Sequence, residues 1–237
     1  MAAGLRLEKT HKHPTLLLAG ETLVLDLCGG VWLPEHRTLI VSDLHLEKGS
    51  SYAARTGQFL PPYDTRETLA CLHEAVVRHD PARVVALGDS FHDVRGPERM
   101  EPGDRAMVSA LQEGRDWVWI AGNHDAAVSE GVGGRYADAL TLGGLILRHE
   151  PSGEPVPGEI AGHLHPCGKV AMRGRAVRRR CFVTDGTRLV MPAFGAYAGG
   201  LNVRDRAIDG LFPNGFTAHL LGDGRVFTIG RAQLARD

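Results

Sequence analysis

Short apolar runs of strand length open the chain, at Thr15–Ala19, Thr22–Leu25 and Val31–Leu33, and a regular alternation of strand and helix comes next. TLIVS at 38–42, RVVAL at 83–87 and DWVWIA at 116–121 are near-continuous apolar runs, the pattern of strands covered on both faces. Between the first two, Asp64–His79 places Leu69, Leu72 and Val76 on one helical face. Asp64 is the predicted cap, Glu67 completes a capping box, and Pro81 lies just past the end. Asp104–Gln112 predicts the next helix. Strand–helix–strand–helix–strand requires crossovers, so these three strands are expected to run parallel. From Leu145 on the pattern changes. Leu145–Arg148, Glu159–Ala161, Val177–Thr184, Arg188–Met191, Phe216–Leu221 and Arg225–Ile229 read as strands joined by glycine-rich turns with little helix between them. That predicts a second, mainly antiparallel sheet packed on the first. The expected architecture is α/β: a single domain over 1–237, with two stacked mixed β-sheets flanked by helices.

Composition adjusts this picture only slightly. The 237 residues suffice for one large core, the apolar fraction of 43% is ordinary, and 30 glycines imply many tight turns. Lys plus Arg (27) nearly balance Asp plus Glu (28), for a net charge of −1, so a nucleic-acid partner would need a local basic patch. Cys28, Cys71, Cys167 and Cys181 are widely spaced and read as free thiols. The N-terminus shows no apolar signal region, and no run is long enough to span a bilayer. A cytoplasmic enzyme with no membrane partner is the expectation.

The candidate chemistry is concentrated just past the carboxyl end of each strand. After TLIVS comes Asp43-Leu44-His45, after RVVAL comes Gly88-Asp89, and after DWVWIA comes Gly122-Asn123-His124-Asp125. Later strands add His149 and the pair His163-Leu164-His165. In open α/β sheets the carboxyl ends of strands build the site, so these residues are expected on one rim. On extended chain, residues i and i+2 point the same way, so Asp43 and His45 can share a metal, as can His163 and His165. Adjacent Asn123 and His124 are expected to do different work. A donor set of carboxylate, amide and imidazole suits manganese, iron or zinc better than magnesium or calcium. Each fragment alone is weak: a lone D-x-H or Gly-Asp is more often a turn than a ligand. The ordered set at successive strand ends is what points to a metal centre.

Together DLH, GDSFHD, GNHD, the isolated His149 and GHLH resemble the calcineurin-like metallophosphoesterase superfamily. DLHLEKGSSYA, LPPYDTRETL, ALGDSFHD, WIAGNHD, LRHEP, EIAGHLHP, VRRRCFVTDG and MPAFGAYAGGLNV further resemble the bacterial ligase-associated DNA damage response endonuclease family, nearly end to end. The resemblance implies a two-metal phosphodiesterase or nuclease of DNA repair. Metal-activated hydroxide is the expected nucleophile, and with no Ser or Cys nucleophile beside a basic partner visible in the sequence, no covalent intermediate is expected. One metal, expected as Mn2+, is implied at Asp43, His45 and His165, and the other at Asn123, His149 and His163. Asp89 bridges them, and His124 faces the phosphate with Asp125 behind it. DNA or another phosphodiester is the implied substrate. An ATP-dependent DNA ligase, a helicase and an exonuclease of one repair system are the implied partners. The chain departs from many superfamily members in placing His92 three residues after the bridging Asp. His92 then either reaches the phosphate or leaving group, or orients neighbouring ligands. Two other functions share the same motifs: a small-molecule phosphatase or nucleotide hydrolase, and a non-catalytic metal-stabilised module of a repair complex.

Arg173, Arg175, Arg178, Arg179 and Arg180 crowd into eight residues. They form either a DNA-backbone contact surface or a charge-guarded edge strand, with Arg178 and Arg180 sharing a face by alternation. Lys48, Tyr52 and Arg55 come after the first metal motif and either line a substrate entrance or belong to an ordinary loop. Trp117 and Trp119 read as core on a central strand. Phe194–Leu201 (FGAYAGGL) either closes over the site or is simply a set of turns.

Overall fold

The computed structural model describes residues 13–57, 63–125, 131–172 and 174–237. A first sheet begins with an antiparallel meander of β1 (Thr15–Leu18), β2 (Glu21–Leu25), β3 (Val31–Leu33) and β4 (Thr38–Val41). The strands β5 (Arg83–Leu87), β6 (Asp116–Ile120) and β7 (Arg135–Ala137) then add to β4 in parallel. Helices α1 (Lys48–Thr56) and α2 (Asp64–His79) connect β4 to β5, and α3 (Gly96–Arg99) and α4 (Pro102–Gln112) connect β5 to β6.

The second sheet comprises β8 (Ala139–Leu142), β9 (Leu145–Arg148), β10 (Glu159–Ala161), β11 (Cys167–Met172), β12 (Arg175–Thr184), β13 (Leu189–Val190), β14 (Thr217–Gly222) and β15 (Arg225–Gly230). Its order is β15-β14-β12-β13-β10-β9-β8, with β11 paired to β12. Only the β9–β10 and β10–β13 pairs are parallel, so the sheet is mixed and mainly antiparallel, as the turn-rich sequence implied. A short α5 (Arg206–Asp209) lies between β13 and β14.

Alternation along the parallel strands builds the layers. Ile40, Val85, Leu87, Val118 and Ile120 face the second sheet and meet Leu145, Leu147, Ile160, Phe182, Leu189 and Met191 in a core between the sheets. Their neighbours Leu39, Val41, Val84, Ala86, Trp117 and Trp119 face the other way and pack on Leu69, Leu72, Ala75 and Val76 of α2 and Val108 and Leu111 of α4. Each such aliphatic side chain, fully buried, contributes roughly 1.5–3 kcal/mol. A third cluster covers the outer face of the second sheet with Val203, Ile208, Phe212 and Phe216.

The helix Asp64–His79 forms where its periodicity placed it, but the capping box does not. Tyr63 is the cap, and the Asp64 carboxylate instead accepts the Gly49 N–H of α1 at 2.9 Å. Trp117 and Trp119 are core, although β6 is next to the edge strand rather than central. The strands β7, β8 and β11 and helix α1 have no counterpart among the elements expected from the sequence. All four cysteines are free thiols. Among the described residues, no helix is long and apolar enough to cross a membrane.

Candidate metal centre

The loops after β4 and β5 are laced together by backbone bonds. Asp43 N donates to Gly88 O at 3.3 Å, His45 N to Asp89 O at 2.9 Å, and His92 N to Leu46 O at 2.9 Å. From the second sheet, Gly162 N donates to His149 O at 2.9 Å, and His163 N donates to both Asp43 carboxylate oxygens, at 3.2 and 3.0 Å. The backbone is not extended here. Asp43, His45, Asp89, His163 and His165 all have φ between 45° and 69°, five of the nine described non-glycine residues with positive φ. Left-handed backbone costs an L-residue about 1–3 kcal/mol, and its concentration on these five residues marks a functional site. Gly88 lets the loops close: its φ is +73°, and a Cβ there would sit 2.5 Å from His149 Nδ1.

Two donor groups result, each with its atoms within 4.8 Å of one another: Asp43, His45 and His165, and Asp89, His149 and His163. Asp43 and His45 thus share a group as the sequence suggested, through paired left-handed turns rather than extended chain. His163 and His165 do not. Left-handed backbone at both positions is common to the two pairs, so i, i+2 spacing alone does not decide which pair shares a group. Asp89 lies between the groups, with Oδ1 3.5 Å from His149 Nε2 and Oδ2 3.9 Å from His45 Nε2.

The imidazoles are preset for a cation. His149 Nδ1 donates to Leu87 O at 2.8 Å, and His165 Nδ1 donates to Gly199 O at 3.1 Å, which leaves each Nε2 lone pair turned inward. His45 Nε2 and His165 Nε2 stand 3.2 Å apart, as do His163 Nδ1 and His149 Nε2. Burial pushes His45 down to about 3 against the attraction of Asp43, so it is a neutral donor. Imidazole nitrogens converging with buried carboxylates, with no thiolate among them, fit divalent metals of the manganese, iron and zinc type. Asp43 is itself fully buried, and although burial opposes it, the His165 contact holds its carboxyl below the usual range.

Around these groups stand the remaining predicted residues. Asn123 is exposed on the turn after β6. His124 Nδ1 donates to His92 O at 3.0 Å, and its Nε2 lies 3.9 Å from Asp89 Oδ2. Asp125 does not sit behind His124. Its carboxylate accepts from Gly122 N at 3.0 Å, Ser90 N at 2.6 Å and Phe91 N at 3.2 Å, so it joins the loops after β5 and β6, and the His92 carbonyl fixes the His124 tautomer instead. His92 stacks on His124 with ring centroids 5.2 Å apart and a 20° tilt, and its Nδ1 is 3.5 Å from His45 Nδ1. Burial, then the nearby Lys48 charge, pushes His92 down to about 4.

Arg178 and Arg180 share a face of β12, as alternation predicts; Arg180 is half-buried and Arg178 exposed, and both reach backbone carbonyls of the 193–200 segment. Arg180 Nη1 donates to Ala193 O at 2.7 Å and Phe194 O at 3.0 Å, and Arg178 Nη2 donates to Gly200 O at 2.6 Å. The segment they hold is a strap against the centre. Phe194 N donates to Ser42 O at 2.8 Å, Gly195 N to Asp43 O at 3.1 Å, and Ala196 N to Thr68 Oγ1 at 3.0 Å. Lys48 Nζ donates to Tyr197 O at 3.0 Å, and Gly199 O accepts from His165. Arg175 and Arg179 are exposed, and Arg173 lies outside the described residues. Sequence reasoning leaves the strap and α1 open as mere turns or loop. The one available signal is the i, i+4, i+7 spacing of Lys48, Tyr52 and Arg55.

Oxygen and nitrogen donors gathered in two adjoining groups at the strand ends of a two-sheet sandwich define a metal-dependent phosphoric ester hydrolase. The chain belongs to the calcineurin-like phosphoesterase family, whose sequence model matches residues 36–168. Among solved structures, the crystal structure of Pseudomonas putida nuclease MPE is similar over 92% of this chain and 100% of that chain, with a TM-score of 0.68 and 28% identity. No curated protein matches the sequence.

Proposed function

We propose that the chain is a single-domain, two-metal phosphodiesterase that cuts DNA in a repair setting. The observation that carries the reading is the position of Asp89, whose two oxygens face the two donor groups separately. Asp43, His45 and His165 would hold one divalent ion, and Asn123, His149 and His163 the other, with Asp89 shared; Mn2+ fits the donors, as do Fe and Zn. When bound, such ions supply Lewis-acid stabilisation of phosphoryl charge and acidify water for in-line attack. The chain's own contribution to the reaction is His124. With Nδ1 tied to the His92 carbonyl, its cationic form carries a transferable proton on Nε2, directed to the leaving oxygen. Nothing in this arrangement requires a covalent intermediate.

The nuclease relative supports a nucleic-acid substrate, and the narrower motif resemblance supports the repair setting, with a ligase, helicase and exonuclease as candidate partners. The core built from both halves of the chain supports the single domain. The test is hydrolysis by manganese-loaded protein of single- and double-stranded oligonucleotides, a chromogenic diester and phosphomonoesters. Cleavage of oligonucleotide that chelation abolishes and manganese restores is expected. Turnover of monoesters alone would instead select the small-molecule phosphatase, and no turnover of any substrate the non-catalytic module.

A further inference from the structure

Helix α1 carries Lys48, Tyr52 and Arg55 at i, i+4 and i+7, which puts all three on one side of the helix. Tyr52 lies 5.5 Å from His92, ring to ring, at a tilt of 27°. His92 stacks in turn on His124, and both stand edge-on to His45 with centroids 5.4 Å away. A run of near-parallel rings therefore leads from the donor groups out to Tyr52, which is half-buried. One face of Tyr52 is taken by His92, and among the described residues no other ring meets its second face. Lys48 is tied to the strap through Tyr197 O, so this side of α1 is fixed relative to the centre, and Arg55 is exposed one turn further out.

We propose that Tyr52 is a stacking platform for a nucleobase adjoining the scissile phosphodiester, with Lys48 and Arg55 placed for the flanking phosphates. The proposal rests on the nuclease reading above and narrows its substrate. A base stacked on a protein ring has left its duplex stack, so the strand must be unpaired at that nucleotide. Aromatic faces with interleaved cations are how single strands are held without sequence preference. If the Tyr52–His92 contact merely fixed His92, nothing in the substrate's bases would register its loss.

The test is a coupling experiment. Manganese-loaded protein cleaves an end-labelled single-stranded oligonucleotide, and cleavage at each bond is read from the product ladder for the intact strand and for strands with an abasic site at one defined position. The wild-type protein should lose roughly 10- to 100-fold in kcat/KM at the bond whose stacked base is missing. Tyr52→Leu should show a similar loss on the intact strand and no further loss on the abasic one. Tyr52→Phe and Tyr52→Trp should restore the wild-type dependence. An abasic penalty that persists undiminished in Tyr52→Leu would overturn the platform. If Tyr52→Leu does not fold, 2-aminopurine at the same position decides. Quenching on binding to the wild-type protein and to Tyr52→Phe is expected, and its absence at every position near the scissile bond would overturn the proposal. A wild-type protein that hydrolyses small phosphoesters but no oligonucleotide would overturn the nuclease reading itself; cleavage with additive losses would remove the platform alone.

Discussion

The two donor groups are alike in chemistry and unlike in what holds them. His149 is oriented by the carbonyl of Leu87, the last residue of core strand β5, where both residues are buried. His165 is oriented by the carbonyl of Gly199, an exposed residue of an irregular strap. The first group thus takes its precision directly from the sheet. The second takes it from a segment that must itself be held, by Ser42, Asp43, Thr68 and Lys48 beneath it and by Arg178 and Arg180 beside it. Rigidity at a strand end comes with the core, whereas rigidity in a strap depends on side chains that no local pattern identifies.

The largest effect expected is one that erases the difference. Asp89→Ala removes the carboxylate facing both groups, so both metals should go, with nearly all activity; elemental analysis showing full occupancy of both positions would end the bridging assignment. Next comes a change that should leave both groups filled. His124→Ala removes the proposed proton donor, which is outside both donor groups, so kcat should drop by roughly two to four decades with metal content unchanged. An emptied position would make His124 a ligand. Gly88→Ala then attacks the sheet-held group. A Cβ 2.5 Å from His149 Nδ1, on backbone at φ +73°, should displace that imidazole and destabilise the protein by about 1–3 kcal/mol. Calorimetric titration with manganese should show the Asp89/His149/His163 position weakened more than the other.

The same division governs what the sequence discloses. TLIVS, RVVAL and DWVWIA are legible because strands covered on both faces leave near-continuous apolar runs, and the residues after them are legible because strand ends are where such sheets build sites. Left-handed backbone at Asp43, His45, Asp89, His163 and His165 is not legible, since no residue type there demands it, and it is imposed by the lacing of neighbouring loops. Spacing alone therefore does not distinguish Asp43 and His45, which share a group, from His163 and His165, which do not. Helix α1 is hidden because Glu47 at its start is left-handed and offers no side-chain cap. Asp125 looks like a partner for the adjacent His124, but its three backbone donors come from two loops that meet only in the fold. Alternation pairs Arg178 with Arg180 correctly and is silent about what they face, because the strap carbonyls lie more than a dozen residues further along the chain.

The strap-held group is where a modest change should separate the two centres most cleanly. Arg180 touches none of the metal donors; it donates to the carbonyls of Ala193 and Phe194, next to the N–H groups that bond Ser42 and Asp43. Arg180→Ala leaves those carbonyls facing the space the guanidinium filled and frees the strap to shift, and with it Gly199 O and the His165 imidazole. Losing the partner that orients a metal-binding histidine typically weakens metal affinity by about 10- to 100-fold, so the Asp43/His45/His165 position should weaken by that order while the Asp89/His149/His163 position holds its ion. Manganese titration resolves the two, and the electron paramagnetic spectrum should change from that of a coupled pair toward that of a single ion at limiting metal. Arg180→Lys keeps one donor and should recover part of the affinity. Exposed Arg175 and Arg179 are the controls: substituting them should leave both metal affinities unchanged. If DNA runs along the β11–β12 pair, each substitution should also lower the salt slope of oligonucleotide binding by about one unit for its phosphate. Equal weakening of both metal positions in Arg180→Ala would mean that the strap supports the fold as a whole, and the contrast between a sheet-held and a strap-held centre would fall with it.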